Sequence, residues 1–501
     1  MARKKACIVI NPRAGQNVVK LPDVLAIFAA AGWKTKLAMK EFGGHTMALA
    51  TKAAEEDYDL VVGYGGDGTL CQVVNGVMNA KGQHSKVALI PGGTANVWAS
   101  EVGIPIDPVK AALTLVSSEF RKVDIGHVEV AALSFPETTQ GEGQQPDEEH
   151  TQQRKVKPTP AAKHHFLLMG GLGIDAAVMG HVSKPLKYKV GPLAVGLSAA
   201  KELPAQHAFP IEIRAEAGGR KGEVLWKGDA IQVVIGNTRR YADIVQMTPN
   251  AYIDDGILDI CVITGGDPLS TMQQITSLLL RRQPDTTTSE VLHGAHISIT
   301  APASVDMQLD GSAVKLKDYL SKGDRTALAQ AGNPEQVMVK YLFDVMPQSL
   351  RVAIPSHYDD ALFEHSSGKE MAHNAEMQVQ EEQAAQQKQN EDASEQTVQQ
   401  SQEELAHLTA LTDNGREVTV VGVTRIPGKK PTYIIAGSST KLNTGEAKPV
   451  AVCIDDSTTM IKRTGEHVPP SFVLSLLEGG QILVEGKKSK RGVIRATRVL
   501  V

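Results

Sequence analysis

Over roughly the first 120 residues, short apolar runs alternate with stretches whose apolar positions recur at helical spacing. Residues 6–10 form an apolar run that ends in Asn-Pro, and residues 18–32 carry helical spacing that stops at a glycine. Residues 35–39, 60–63 and 87–90 read as strands, and 44–56 and 70–79 as helices. This order predicts a parallel sheet with helices on both faces, an α/β domain over 1–122. Such sheets hold ligands at the carboxyl ends of their strands.

From residue 123 the period shortens. Strand-like runs at 125–133, 165–169, 211–216, 231–236, 258–262 and 296–300 predict a mainly β domain over 123–325. The polar stretch 134–164, with its ETTQGEGQQPDEEHTQQRK run, has too little apolar surface to order itself and is expected to be a disordered loop. Residues 364–404, rich in Gln, Glu and Ala, sustain no apolar heptad and read as a polar linker. Beyond it, runs at 417–423, 433–437, 450–454, 481–486 and 492–501 predict a small OB-like barrel over 405–501. The final hairpin carries Lys487, Lys488, Lys490 and Arg491 without aromatics between them, which suits a solvated tip better than a base-stacking surface.

Length and composition narrow the classes. A chain of 501 residues exceeds one compact core, and 42% hydrophobic residues suffice for several. A formal net charge of −4 gives no global reason to expect nucleic acid or an anionic membrane as the main partner. Cys7, Cys71, Cys261 and Cys453 lie far apart and suggest neither disulfides nor zinc, consistent with a cytoplasmic protein. The basic N-terminus lacks the apolar stretch of a signal peptide, and no run of about 18–20 apolar residues spans a bilayer. A lipid substrate would then be met peripherally, at a membrane surface.

Chemistry concentrates at strand ends. Gly63-Tyr64-Gly65-Gly66-Asp67-Gly68-Thr69 follows an apolar strand and precedes a helix. Its glycines let the backbone approach a ligand, and the helix start favours phosphate. Asp67 places a carboxylate there, repulsive to phosphate unless it holds Mg²⁺ or accepts a proton. Asn11-Pro12-Arg13-Ala14-Gly15 and Pro91-Gly92-Gly93-Thr94-Ala95-Asn96 follow two further strands, so three such turns share one sheet edge. His164 and His165, adjacent on a strand, face opposite ways and make a shared metal improbable. Residues 184–202 mix basic and apolar positions and suit either a membrane-facing segment or a buried helix.

The motifs NPRAG, GGDGT and PGGTAN, in this order and spacing, resemble the diacylglycerol kinase catalytic-domain family, which includes sphingosine kinases and bacterial lipid kinases. The likeness runs on through KVDIG at 122–126, GGLGIDAAV at 170–178, GNTRRY at 236–241, TPNAYIDDGILDI at 248–260 and DMQLDG at 306–311, covering roughly 5–356 with a closing segment at 326–356. The resemblance implies ATP contacts at Asn11, Pro12, Arg13, Ala14, Gly15, Gly65, Gly66, Asp67, Gly68, Thr69 and Thr94. It implies that Asp67 and Asp124 organise Mg²⁺ and water near the phosphates. It also implies a structural Mg²⁺ on the side chain of Asp255 and the carbonyls of Tyr252 and Ile257, an oxygen set that suits this ion, although an Asp-Gly turn alone would explain the same residues. A homodimer stays open as the assembly.

Two departures from the family pattern stand out. Where bacterial members have Asp-Gly-Glu, with the Glu as general base, this chain has Asp310-Gly311-Ser312. A serine is no base at its own pKa, so Asp67, or Asp310 facing the same side of a strand, would have to accept the proton. Lys40 stands where members often carry a nucleotide-contacting Thr, and a lysine can still pair with phosphate. The expected activity is ATP-dependent phosphorylation of a hydroxyl of diacylglycerol or a related lipid, sphingoid bases included. The alternatives are an NAD kinase-like small-molecule kinase and a catalytically weak nucleotide-binding regulator. Truncation after Pro355 should leave a soluble nucleotide-binding core.

Overall fold

The computed structural model describes residues 4–13, 15–82, 85–136, 151–159, 163–173, 208–216, 222–241, 245–264, 289–358, 360–364, 416–426, 431–440, 447–464, 466–489 and 493–501. Its first part has strands β1 (Lys5–Ile10), β2 (Lys34–Met39), β3 (Leu60–Gly65) and β4 (Lys86–Pro91). Between and after them lie helices α1 (Leu21–Ala30), α2 (His45–Glu55), α3 (Asp67–Met78), α4 (Val97–Glu101) and α5 (Pro108–Ser117). The strands are parallel in the order β4-β3-β1-β2. Ile8, Val9, Val61, Val62, Leu89 and Ile90 are wholly buried, which is why these strands read as unbroken apolar runs. The stretch expected as one helix from residue 18 divides into a 3-10 helix (Gly15–Lys20) and α1, with Pro22 fixing the first turn of α1. The side chain of Asp107 caps α5, accepting from the backbone N–H groups of Val109 and Lys110 at 2.9 and 3.0 Å.

The change of pattern at residue 123 is not a break in the sheet. Strand β5 (Glu119–Pro136) runs straight through it. It is followed by β6 (Thr151–Lys155), β7 (His165–Phe166), β8 (Met169–Gly173), β9 (Phe209–Ala215), β10 (Val224–Gly236), β11 (Arg240–Tyr241), β12 (Val245–Gln246), β13 (Leu258–Thr264), β14 (Ser289–Gly294), β15 (His296–Pro302), β16 (Met307–Leu309) and β17 (Ser312–Val314). Helices α6 (Leu316–Tyr319) and α7 (Lys322–Gln330) lead to β18 (Met338–Ile354), which pairs antiparallel with β5 along nearly its whole length. One end of β18 joins the parallel sheet at Val352↔Val87, and the other carries β15 in the second, antiparallel part. The register of β5 and β18 slips between Met346 and Leu350, where the ribbon passes from one part to the other. A second core, with Phe166, Ile213, Val233, Ile260, Ile299 and Phe343, fills the β-rich part.

The stretch 134–164 is corrected in two places. Ser134–Pro136 continues β5, and β6 pairs with it in the register Ala132↔Lys155 to Pro136↔Thr151. An edge strand needs only backbone partners and can keep polar side chains in water, so polarity alone did not exclude it. Residues 137–150, the linker beyond Glu364 (365–404) and all of 184–202 lie outside the described residues.

The C-terminal part is a closed barrel. β19 (Arg416–Ile426), β20 (Thr432–Thr440) and β21 (Ala447–Asp455) form an antiparallel meander. β22 (Thr459–Ile461) and β23 (His467–Val468) form a small flap, and β24 (Gln481–Lys488) and β25 (Val493–Leu500) a hairpin. Pairing of β24 with β19 and of β25 with β21 closes the ring of five.

The barrel is not held by its tether alone. Ile434, Ala436 and Ala451 belong to the same apolar core as α1, α5 and the parallel sheet. Gly422 sits so close to α5 that a Cβ there would stand 2.9 Å from Leu113 Cδ1, and Lys110 pairs with Glu478 at 2.6 Å. The core also extends past Pro355. Leu362 and Phe363 are buried, Arg121 lies 3.5 Å above the Phe363 ring, and Arg121 pairs with Asp360 at 2.5 Å. Packing therefore continues past Pro355, the end at which the sequence places the core.

Candidate active site

Parallel register lines up the strand ends. Ile10 is level with Met39 and Tyr64, and Gly65 with Pro91, so the turns after β1, β2, β3 and β4 share one edge. Asn11 donates its N–H to the Tyr64 carbonyl at 3.0 Å, and its Oδ1 accepts from Arg13 N at 3.2 Å, which shapes the NPRAG turn. The N–H of Lys40 donates to the Ile10 carbonyl at 2.9 Å, placing Lys40 beside that turn. Ala14 lies outside the described residues, and Gly15 opens the 3-10 helix.

The two glycine turns touch. Gly92 N donates to Gly65 O at 2.9 Å. A Cβ on Gly66 would stand 2.8 Å from Gly93 Cα, and one on Gly93 2.4 Å from Gly66 Cα. A Cβ on Gly65 would fall 2.3 Å from Thr69 Oγ1. Backbone contact at Gly66 and Gly93 and the Thr69 side chain at Gly65 leave no room for a Cβ, so the glycines serve packing as well as ligand approach. Asn96, in the left-handed region at φ 51°, holds the PGGT turn by accepting from Gly93 N at 2.9 Å and donating to Gly93 O at 3.0 Å. Thr94 lies in that turn.

Helix α3 begins earlier than its apolar pattern, at Asp67. One carboxylate oxygen of Asp67 accepts the N–H of Trp98 at 3.1 Å, which ties the first glycine turn to α4. Thr69 is buried and its N–H donates to Gly66 O at 2.8 Å. Ser312, at the start of β17, faces this helix start, since a Cβ on Gly68 would lie 3.2 Å from Ser312 Oγ.

Asp310 departs from the expected strand position. Asp310 and Gly311 have φ 46° and 68° and form the two-residue turn joining β16 to β17, the Asp-Gly turn favoured in tight hairpins. Asp310 and Ser312 therefore do not share one strand face. The carboxylate accepts three N–H groups, from Leu167 at 3.0 Å, Leu168 at 2.8 Å and Met169 at 3.1 Å. Burial pushes its pKa up to about 6 against these hydrogen bonds, and the charge of Asp67 adds to the rise. Its place is that of a positioning group under β7 and β8.

Asp124, wholly buried, sits where the β5–β18 ribbon slips register. Its oxygens accept from Gln348 N and Gly256 N, both at 2.6 Å, and its own N–H donates to Ile253 O at 2.7 Å. It thereby fixes the loop that holds Tyr252, Asp255 and Ile257. Asp255 Oδ1 accepts from Ile257 N at 2.9 Å. Burial raises the Asp255 pKa to about 6, and the charges of Asp259, Asp124 and Glu364 add to it. Crowded negative charge on a half-buried carboxylate beside backbone carbonyls fits a hard divalent cation. Among the described residues no group of three or more His, Cys, Asp or Glu side chains could hold a metal, so such an ion would rest on one carboxylate, carbonyls and water.

Asn75 was not singled out from the sequence, yet it joins the two parts. From α3 its Nδ2 donates to His165 O at 2.7 Å, and its Oδ1 accepts from His164 N and His165 N at 3.0 Å each. An Asn on the apolar face of a helix was the available signal. His164 and His165 are both buried, with the His127 ring 5.7 and 5.1 Å from theirs. Burial, with His127 and His164 adding, pushes the His165 pKa down to about 3, so its ring is neutral.

Comparison with known proteins agrees with this geometry. Residues 5–128 match the diacylglycerol kinase catalytic domain, and residues 170–353 match the YegS C-terminal NAD kinase beta sandwich-like domain. The chain is 26% identical over 310 residues to the diacylglycerol kinase of Staphylococcus epidermidis, covering 62% of this chain and 85% of that protein. It is 27% identical over 310 residues to the diacylglycerol kinase of Staphylococcus aureus, with the same coverage. A solved structure from Bacillus anthracis, described as a diacylglycerol kinase, shares the fold at a TM-score of 0.51 and 19% identity, over 72% of this chain and 97% of that one. With its paired glycine turns at one sheet edge, the part spanning residues 5–128 belongs to the diacylglycerol kinase catalytic-domain family.

Proposed function

We propose that this protein is an ATP- and Mg²⁺-dependent lipid kinase that phosphorylates a hydroxyl of diacylglycerol or a related lipid. The observation that carries this reading is the paired glycine turn, with Gly66 and Gly93 in backbone contact at the start of α3 and Asp67 at its first position. Open backbone beside a helix start suits a triphosphate, and phosphoryl transfer rests on positioning and charge neutralisation. Asn11, Pro12, Arg13, Gly15, Lys40, Gly65, Gly68, Thr69 and Thr94 line the same edge and serve nucleotide binding. Asp67 is the acid nearest the reaction, and Asp310 and Asp124 hold the second part in place. Mg²⁺ supplies charge neutralisation when bound, and Asp255 with the Tyr252 and Ile257 carbonyls would hold a structural ion.

No helix among the described residues is long and apolar enough to cross a membrane, which accords with a peripheral, cytoplasmic enzyme. The test is transfer of labelled γ-phosphate from ATP to a total lipid extract, with the product identified by mass. Absence of any labelled lipid would end the lipid-kinase reading.

A second reading is a small-molecule kinase acting on NAD. It is favoured by the β-sandwich match at 170–353, whose description names NAD kinase. Labelled NADP in place of labelled lipid would select it.

A further inference from the structure

The rings of His127, His164 and His165 meet beside the seam between the two parts, where Asn75 of α3 holds the backbone of the latter two. The His127 ring on β5 lies 5.7 Å from that of His164 and 5.1 Å from that of His165. His164 and His165 are buried, and Glu129 stands 3.6 Å from His127. Burial and mutual repulsion both disfavour charge here, so a proton goes to the ring with the best acceptors.

His164 is the ring placed to use two N–H groups. Its Nδ1 stands 3.0 Å from the Val128 carbonyl oxygen, and its Nε2 stands 2.8 Å from that of Thr159. A carbonyl only accepts, and a neutral imidazole has a single N–H. The neutral ring therefore leaves one carbonyl facing a bare nitrogen lone pair, whereas the imidazolium satisfies both. The neighbouring rings do not compete for the proton. His165 Nδ1 is buried with no hydrogen-bond partner among the described residues, and burial pushes that ring's pKa down to about 3. Burial also lowers the pKa of His127, against the pull of Glu129 and Asp344. On α6 the Tyr319 ring stands edge-on 5.3 Å from His164, and burial keeps its hydroxyl protonated. Burial likewise keeps the Cys71 thiol on α3 protonated, and Lys163 and the exposed Asp318 complete the charged groups around the cluster.

The two carbonyls belong to different segments. Val128 lies in β5, and Thr159 lies in the stretch that follows β6. That stretch is tied onward to α6, since Thr159 Oγ1 donates to the Asp318 carbonyl at 2.7 Å and the Tyr319 hydroxyl donates to the Lys163 carbonyl. Helix α6 follows β17, whose first residue, Ser312, faces Gly68 of the glycine turn. From this arrangement we infer that His164 is a proton-operated latch. As the imidazolium it bridges Val128 and Thr159 and holds residues 156–159 between β5 and α6. As the neutral ring it keeps the deeply buried Val128 contact and releases the Thr159 carbonyl, which water can reach. Imidazoles exchange this proton near neutrality. The folded state favours the protonated ring, so the stability it contributes is present at low pH and lost as pH rises past neutrality. The latch stands on these hydrogen bonds and does not depend on which substrate the protein phosphorylates.

The test uses the full chain with nitrogen-15 in its histidine rings, read by magnetic resonance. His164→Gln keeps one donor and one acceptor at every pH, so it identifies the His164 signals and mimics the released latch. At about pH 6 both ring nitrogens of His164 should carry protons, and by about pH 8 the ring should be a single neutral tautomer. His165 should stay neutral throughout. The wild type should melt several degrees above His164→Gln at about pH 6, and at least half of that gap should be gone by about pH 8. Over the same rise, hydrogen exchange at residues 156–159, corrected for its intrinsic pH dependence, should speed about tenfold in the wild type and stay level in the variant. Should His164→Gln fail to fold, His127→Gln serves instead, since it removes one ring signal and displaces that of the adjacent His164. A His164 ring that carries one N–H at every value from about pH 5 to 9 would overturn the inference. So would a melting gap that does not change with pH.

Discussion

The side-chain amide of Asn75 donates to the carbonyl of His165 at 2.7 Å, so the helix that begins in the glycine turn is stapled to β7 of the β-rich part. The same side chain accepts from His164 N and His165 N. Replacing Asn75 by Leu would leave two buried N–H groups and one carbonyl unmatched. Asn75→Leu should destabilise the protein by about 3 kcal/mol or more, read as a lowered urea midpoint. A midpoint like the wild type's would show that water or a shifted backbone replaces the amide.

One carboxylate oxygen of Asp67 accepts the N–H of Trp98, and the side-chain oxygen of Asn can keep that contact. Asp67→Asn should therefore melt within a few degrees of the wild type. Phosphoryl transfer should fall by a factor on the order of 100 to 10,000. Melting curves and labelled-ATP turnover on the same preparation check both halves, and undiminished turnover would remove Asp67 from the mechanism.

Much of this was legible in the chain. The α/β alternation shows because β1, β3 and β4 are buried on both faces, and the family motifs fall at their ends. What the sequence hid are relations between distant segments. The Asp-Gly of DGS at 310–312 is itself a hairpin-turn signal, but nothing in it says that the Asp310 carboxylate reaches the N–H groups of Leu167–Met169, which are far away in the sequence. The polar run at 151–155 conceals an edge strand, since its partner β5 supplies only backbone. The docking of the barrel was hidden for a similar reason. Ile434, Ala436 and Ala451 look like ordinary barrel residues until α1 is placed against them.

That docking sets the outcome of truncation. A chain ending at residue 364 keeps Leu362 and Phe363 but strips Ile434, Ala436 and Ala451 from the face of α1 and α5. It should melt several degrees below the full chain and partition toward aggregates, as expected for a newly exposed apolar patch. Ending at Pro355 should be worse, since Phe363 also leaves its place under Arg121. Equal melting temperatures for the 1–364 fragment and the full chain would show the seam to be a loose contact.

The pKa of Asp255, pushed up to about 6 by burial and by Asp259, Asp124 and Glu364, fixes a pH window for cation binding. An ordinary Asp releases its proton near pH 4, so between about pH 4 and 6 the cation-free native state holds a proton that the unfolded chain has lost. Raising pH through that window costs the cation-free protein stability, and a bound cation reverses the cost. Mg²⁺ should therefore raise the melting temperature fully above about pH 7 and progressively less below about pH 6. Asp255→Asn should show no such rise at any pH, and a persistent rise in that variant would place the ion elsewhere.

Ser312 offers the sharpest test of the chemistry. Its Oγ faces Gly68 at the start of α3, one residue from Asp67. Asp310, the other nearby acid, is committed to three backbone N–H groups, so it is poorly placed to take a proton from an acceptor hydroxyl. In the wild type this leaves Asp67 as the nearest carboxylate that the acceptor could meet, and a slow enzyme is expected. Ser312→Glu adds a carboxylate at the first position of β17 without touching the Asp310 turn. Its rate should rise roughly tenfold or more on dioctanoylglycerol, with ATP affinity little changed. Asp310→Asn should lower the melting temperature more than it alters the pH profile of turnover, because its role is to hold Leu167–Met169. If Ser312→Glu gains nothing while both proteins bind ATP and lipid, proton removal by a carboxylate at this position does not limit the reaction. If wild type, Ser312→Glu and Asp310→Asn all bind ATP yet transfer nothing to any lipid, the protein is a nucleotide-binding regulator.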